Sequence, residues 1–248
     1  MDQTTERGRE QLRGIARNAM IDHGLLPEFS AAVTAELRGI AKPAGIAASM
    51  RDLRDLPWVS IDNDDSRDLD QLSVVTSEAG SVKVLVAIAD VDAIVHQGSA
   101  IDGHARTNTT SVYTAAEIFS MLPEMLSTDL TSLGEDQDRV AIVIEMAVSD
   151  RDGSVGASDI YRAAVRNHAK LAYNSVAAWL EGTTAPPGRL AQDAELQKQL
   201  RIQDRIAQAM KQLRHSHGAL SLQTVQARPV FQNDVLIDLQ AEEKNRAA

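Results

Sequence analysis

Ser60-Ile61-Asp62-Asn63-Asp64-Asp65-Ser66-Arg67-Asp68-Leu69-Asp70-Gln71-Leu72 is the stretch on which the reading of this chain turns. Five carboxylates fall within the nine residues from Asp62 to Asp70. An apolar strand candidate, Trp58–Ile61, precedes them and another, Leu72–Thr76, follows. Carboxylates held so close repel, and each raises its neighbours' pKa values unless positive charge offsets them. Hard divalent cations such as Mg2+ take carboxylate oxygens as preferred ligands. Two such ions about 3.5–4 Å apart can clamp the attacking and leaving oxygens of a phosphodiester displacement. A solvated acidic loop is the competing reading at this point.

Two named metal patterns fail on the same residues. An EF-hand loop with ligands at Asp62, Asp64 and Ser66 needs Gly where Arg67 stands and Glu where Ser73 stands. An apolar strand running into Asp-x-Asp, as in haloacid-dehalogenase-type phosphatases, is loosely matched by Val59–Asp64. The later Lys and second acidic pair that such a site needs are not found. No Gly-rich phosphate loop, nucleophile elbow or His-Glu-x-x-His motif occurs either, and the six histidines have no spacing suited to a catalytic metal.

Outward from this stretch, charge is distributed in blocks. The chain has 248 residues and a net charge of −10. Residues 1–56 are neutral, residues 57–160 carry −14 and residues 161–248 carry +4. A uniformly acidic protein would argue against nucleic acid; an acidic segment joined to a basic tail does not. There is no Cys, which excludes disulfides, thiolate metal sites and thiol catalysis. Aromatics are only 3% of the chain, so the core must be built of Ala, Leu, Val and Ile. The first residues are polar and no apolar run is long enough to span a bilayer, so a cytoplasmic protein without membrane association is expected.

Periodicity predicts helices over 6–22, with Gly24 as its stop, and over 30–40, then a Pro43/Gly45 connector. Strands follow at 58–61, 72–76 and 82–89, the last two as a hairpin, then at 139–149 and 155–165 around the Asp150–Gly153 turn. Helices over 167–181 and 191–214 and strands over 219–225 and 235–239 complete the chain. The expected fold is therefore α+β: a mixed, mainly antiparallel sheet flanked by helices, with a helical N-terminal arm at 1–56 and a second domain at 57–248.

The acidic stretch resembles the signature of the RNB family, the catalytic domain of ribonuclease II and its relatives: Thr-Ile-Asp, a five-residue spacer, then Asp-x-Asp-Asp. Further blocks follow in order. Val86-Ala87-Ile88-Ala89-Asp90-Val91 resembles His-Ile-Ala-Asp-Val, with Ala87 in place of His. Gly98–Arg106, Thr110–Tyr113, Met121-Leu122-Pro123-Glu124, Leu126–Leu130, Ser132-Leu133 and His217-Gly218-Ala219-Leu220 continue the likeness. The resemblance implies a metal-dependent 3′→5′ exoribonuclease that degrades single-stranded RNA to nucleoside 5′-monophosphates. It implies Asp62, Asp68 and Asp70 as catalytic residues and Mg2+ ligands, with Mn2+ as an alternative ion. The fourth ligand position falls on Gln71, a neutral amide that offers a carbonyl oxygen without charge. Tyr113 falls on a tyrosine that stacks on a base in relatives, a sequence-tolerant contact worth about 1–3 kcal/mol. A second aromatic clamp has no counterpart at Ser221-Leu222. In the basic tail, Arg162, Arg166 and Lys170, and Lys198, Arg201 and Arg205 on the helix 191–214, are candidates for phosphate contacts.

Two departures shape the expectation. The arm 1–56 lacks the aromatic-rich strands of the barrels that precede the nuclease domain in ribonuclease II relatives; a capping element is preferred, with a reduced helix-turn-helix as the alternative. The arginine-bearing block that follows Gly-Ala-Leu in the family has no match before Ala248, so a domain truncated at its C-terminal end, weak or inactive alone, is expected. The alternative to an exoribonuclease is a catalytically impaired RNB module that binds RNA or a partner.

Overall fold

The computed structural model describes residues 3–78, 81–114, 116–220, 226–232, 235–242 and 245–247. In chain order it opens with helices α1 (Gln3–Asp22) and α2 (Ala31–Leu37). Strands β1 (Arg51–Asp52), β2 (Trp58–Asp62), β3 (Gln71–Glu78) and β4 (Ser81–Ala89) follow. Helix α3 (Ala100–Asn108) precedes the short strands β5 (Val112–Tyr113) and β6 (Ile118–Phe119) and the long strands β7 (Asp138–Ser149) and β8 (Val155–Ala172). Helices α4 (Tyr173–Leu180) and α5 (Ala194–Ser216) and strands β9 (Gln226–Gln232) and β10 (Val235–Glu242) complete the described chain. The α+β reading, with mostly antiparallel pairing, holds.

The chain divides into two compact units, and the division is not sequential: Met1–Lys42 groups with Val95–Leu126 and Gln223–Lys244, while Pro43–Ile94 groups with Ser127–Leu222 and Asn245–Ala248.

The second unit is a barrel. Its sheet runs β1-β8-β2-β3-β4-β7, and β7 pairs back onto β8. Strand β8 makes this closure possible by its length. Its first part, Val155–Arg166, pairs antiparallel with β7. Its last part, Asn167–Ala172, pairs parallel with β2 on the other edge. Five strands leave a narrow interior, and small residues fill it: Ala87, Ala141 and Ala163 pack with Leu72, Leu85, Val143 and Val165 around the fully buried Trp58. The indole satisfies its N–H on the Leu53 carbonyl (2.8 Å). That is how a chain with few aromatics closes its core.

Side-chain alternation assigns the faces. Leu72 and Val74 of β3 point into the barrel, whereas Ser73 and Val75 meet α5. Helix α5 is capped by Asp193, whose carboxylate accepts from Glu195 N and Leu196 N. It also completes hydrogen bonding that β2 leaves unmade, since β2 and β3 are paired only at Val59 and Ser73. Val75 N donates to Gln199 Oε1 (3.2 Å), Gln199 Nε2 donates to Pro57 O (2.6 Å), and the Ser73 hydroxyl donates to Gln203 Oε1 (2.8 Å).

The predicted helix 167–181 is corrected: residues 167–172 are strand and the helix begins at Tyr173. This segment has no β-branched residue, so local propensity favours a helix, and pairing with β2 overrides it. Strand β9 was not foreseen, and most of the expected strand 219–225 lies outside the described residues.

The β7–β8 turn packs hard on α5. Gly153 has φ +72°, and a Cβ there would stand 2.5 Å from Met210 N and 2.6 Å from the Ala209 carbonyl carbon. Backbone strain and overpacking act together at this point. Gly153→Ala is expected to destabilise the protein by about 3 kcal/mol or more and to lower the melting temperature by about 5–10 °C, read by circular dichroism. An unshifted melt would show that this turn does not bear on α5.

In the first unit, Asn108 binds the Leu26 backbone twice, accepting from Leu26 N (2.8 Å) and donating to Leu26 O (2.9 Å). Glu36 of α2 accepts from Ala100 N (2.7 Å) and Ile101 N (3.1 Å), closing the open N-terminus of α3. Buried His104 packs against the Phe29 ring in a tilted arrangement, centroids 4.3 Å apart, and burial pushes its imidazole pKa down.

Candidate active site

The acidic residues sit at one rim of the barrel because two strands end there. Asp62 is the last residue of β2, opposite Ala172 of β8. Asp70 immediately precedes β3, and its carbonyl accepts from Ala89 N (2.8 Å). The antiparallel register that places Val59 against Ser73 carries Asp62 toward Asp70. Alternation puts both on the face of Trp58, Ser60, Leu72 and Val74, the inner face of the barrel. The same alternation turns Gln71, paired with Ile88, to the opposite face.

The turn between them is tied to Asp62. Its Oδ1 accepts from Asn63 N (2.7 Å) and from the Ser66 hydroxyl (2.9 Å). Asp64 and Asp65 are exposed on that turn. Asp70 keeps contact with solvent, yet protein around its carboxyl removes part of its water. That desolvation, and then the charges of Asp62 and Asp68, pushes its pKa above the ordinary carboxylate value. Tyr173, the first residue of α4, feels the same charges: burial, then Asp62 and Asp70, raises its phenol pKa. Sequence reading missed Tyr173 because the helix was started too early; the strand register is the signal that places it beside Asp62.

The basic candidates lie on β8. Arg162, Arg166 and Lys170 are all exposed, but a register irregularity between Asn167 and Ala169 puts Lys170, paired with Ser60, on the opposite face from the two arginines. Each already has an intramolecular contact. Arg162 Nε donates to Asp90 Oδ2 (2.6 Å) and Arg162 Nη2 to Asp92 Oδ2 (2.9 Å). Arg166 Nε donates to Asp138 (2.6 Å), which also accepts from Arg54 (2.8 Å). These two arginines hold the pKa of Asp138 below the ordinary carboxylate value. Lys170 Nζ donates to the Asp64 carbonyl (3.3 Å), fastening the acidic turn to β8. On α5, Arg201 lies over the Trp179 ring at 4.5 Å and Arg205 pairs with Asp150 at 2.9 Å. Tyr113 belongs to the first unit, on β5 opposite Ile118, with 66% and 56% of their surfaces exposed.

Among the described residues, no three His, Asp or Glu side chains close on a single point as a ready-made metal cage. The donor chemistry nevertheless fits a hard divalent cation. Asp62, Asp68 and Asp70 offer carboxylate oxygens on adjoining segments, close enough that the charges of Asp62 and Asp68 add to desolvation in raising the Asp70 pKa. Among the described residues, no helix is long and apolar enough to cross a membrane.

A small closed barrel with carboxylates gathered at one rim is the class of domain these observations define. The sequence model described as RNB domain matches residues 50–248, and the chain belongs to the RNB family. Ribonuclease R of Escherichia coli (strain K12) is 34% identical over 203 residues, covering 81% of this chain and 24% of that protein. Ribonuclease R of Vibrio parahaemolyticus is 35% identical over 181 residues, covering 73% of this chain and 21% of that protein. Among solved structures, Mycoplasma genitalium RNase R in complex with ribose methylated single-stranded RNA superposes with a TM-score of 0.82 at 24% identity. That superposition covers 92% of this chain and 35% of the other, and it shows the shared fold. The chain thus spans between 21% and 24% of the length of the two curated relatives.

Proposed function

We infer that this chain carries the acidic centre of a metal-dependent 3′→5′ exoribonuclease that acts on single-stranded RNA and releases nucleoside 5′-monophosphates. One observation carries the reading: in an RNB domain, Asp62 and Asp70 converge on one barrel rim, and Asp68 lies within electrostatic reach of Asp70. Asp62, Asp68 and Asp70 would hold Mg2+ or Mn2+. The chemistry such an ion supplies when bound is polarisation of the scissile phosphate and neutralisation of its charge. Lys170 secures the turn that carries Asp64 and Asp65. Tyr113 supplies an exposed ring for base stacking. Arg162 and Arg166 present half-exposed guanidinium groups that screen the phosphates of an approaching strand while keeping their carboxylate partners. The domain layout of this reading is an N-terminal segment 1–56, helical up to Leu37, followed by the nuclease domain 57–248, and its setting is the cytoplasm.

Labelled poly(A) incubated with the protein and Mg2+ or Mn2+ is expected to yield mononucleotides, with release stopped by EDTA. Gln71 motivates a second reading, an RNA-binding RNB module without catalysis, because it is neutral and faces away from Asp70. Retained poly(A) binding with no mononucleotide at any concentration of either ion would favour that second reading.

A further inference from the structure

We propose that Ser132 and Asn167, two buried polar residues beneath the acidic rim, are positioning residues that fix the separation of the carboxylate-bearing segments. The inference rests on the reading of Asp62, Asp68 and Asp70 as a metal centre.

The segment between β2 and β3 carries four carboxylates next to Asp62 and no strand pairing of its own from Asn63 to Asp70. Mutual repulsion drives such a segment open, so something must hold it. Ser132, 4% exposed, grips the backbone on both sides of Asp68. Its hydroxyl donates to Arg67 O (3.0 Å) and accepts from Leu69 N (3.1 Å). The next residue continues the grip, with Leu133 N donating to Leu69 O (2.7 Å). Asn167, 1% exposed, then links this clamp to β2. Its Nδ2 donates to Leu133 O (2.9 Å) and to the Ser60 hydroxyl (3.0 Å), and its Oδ1 accepts from Ala169 N (3.2 Å). Ser60 lies two residues before Asp62 on the same inner face.

A continuous chain of buried hydrogen bonds therefore runs from the backbone around Asp68, through Ser132, Leu133 and Asn167, to the strand that ends in Asp62. The cluster packed around Trp58 beside this chain is built of Leu, Val and Ala. Buried polar groups contribute little net stability compared with apolar residues of the same shape, and Ser60, Ser132 and Asn167 lie directly under the acidic rim. Groups behind the ligands of a metal site set where those ligands stand, and their removal typically weakens metal binding by about 10–100-fold.

The test is a Mn2+ titration of the 248-residue chain, following the electron paramagnetic resonance signal of free Mn2+, with a thermal melt of every variant. Ser132→Ala and Asn167→Ala are each expected to raise the Mn2+ dissociation constant by about 10–100-fold. Ser132→Thr, which keeps the hydroxyl, is expected to bind like wild type. A merely structural role would lower the melting temperature and leave the affinity of the folded protein unchanged. Should Ser132→Ala lose its cooperative melt, Ser132→Cys, close in size but a poor hydrogen-bond partner, takes its place with the same expected loss. Wild-type uptake of Mn2+ with unchanged affinity in the folded variants overturns this inference alone. No uptake by wild type overturns the metal-centre reading and this inference with it.

Discussion

Asp70→Asn is expected to reduce Mg2+-dependent mononucleotide release from single-stranded RNA by about a thousandfold, the equivalent of several kcal/mol of transition-state stabilisation. The substitution keeps the size of the side chain and removes the charge next to Asp62 and Asp68. It also leaves the backbone bond from Ala89 N intact, so the rim keeps its geometry. A second consequence separates this site from an ordinary surface carboxylate. The folded-state pKa of Asp70 is raised by desolvation and by its neighbours' charge. A carboxyl raised on folding binds protons more readily in the native than in the unfolded state. Stability therefore falls as pH rises through the interval between the unfolded and the raised folded value, and the full penalty is present above it. Removing that charge should raise the melting temperature of the metal-free protein at neutral pH while hydrolysis is lost. Undiminished turnover in the variant would remove Asp70 from the chemistry. A lower metal-free melt would show that its charge is compensated in the fold.

The acidic cluster was legible because it is local: five carboxylates within nine residues announce themselves in any linear reading. The strands around it were legible for a similar reason, since Leu72, Val74, Leu85 and Ala87 alternate with residues that face α5. What could not be read is what joins distant parts of the chain. Barrel closure depends on β8 serving β7 along one half and β2 along the other, and nothing in Arg166–Ala172 signals the second task. Ser132 contacts a segment 63 residues earlier, and Asn167 a strand 107 residues earlier. Each reads locally as an unremarked polar residue. Tyr173 was hidden for the same reason, because its place beside Asp62 follows from a pairing more than 100 residues apart. The non-sequential grouping of 1–42 with 95–126 and 223–244 is of this kind too.

Arg162 carries a charge that the fold itself employs, and its removal is expected to be costly. The side chain of Asp90 is only 2% exposed, while that of Arg162 is 48% exposed and reaches it with two hydrogen bonds, at 2.6 and 3.3 Å. Asp90 is the first residue after β4, and Arg162 lies on β8, so the pair fastens the end of β4 across β7 to the far strand. Arg162→Ala would leave a carboxylate buried without its cation. Losing one partner of a fully buried pair costs about 3–5 kcal/mol; water reaching the arginine side lowers the expectation below that range. Urea unfolding measures this directly. Asp90→Asn in the Arg162→Ala background should recover much of the loss, because the amide needs no counter-charge. RNA affinity of the folded single variant then separates two roles. A fold-only role leaves poly(A) binding and its salt dependence unchanged at a temperature where the variant is folded. A phosphate contact lowers affinity and reduces the slope of log K against log salt by about one ion. A variant as stable as wild type would mean that Asp90 finds other partners and that the Arg162 charge is held for the ligand.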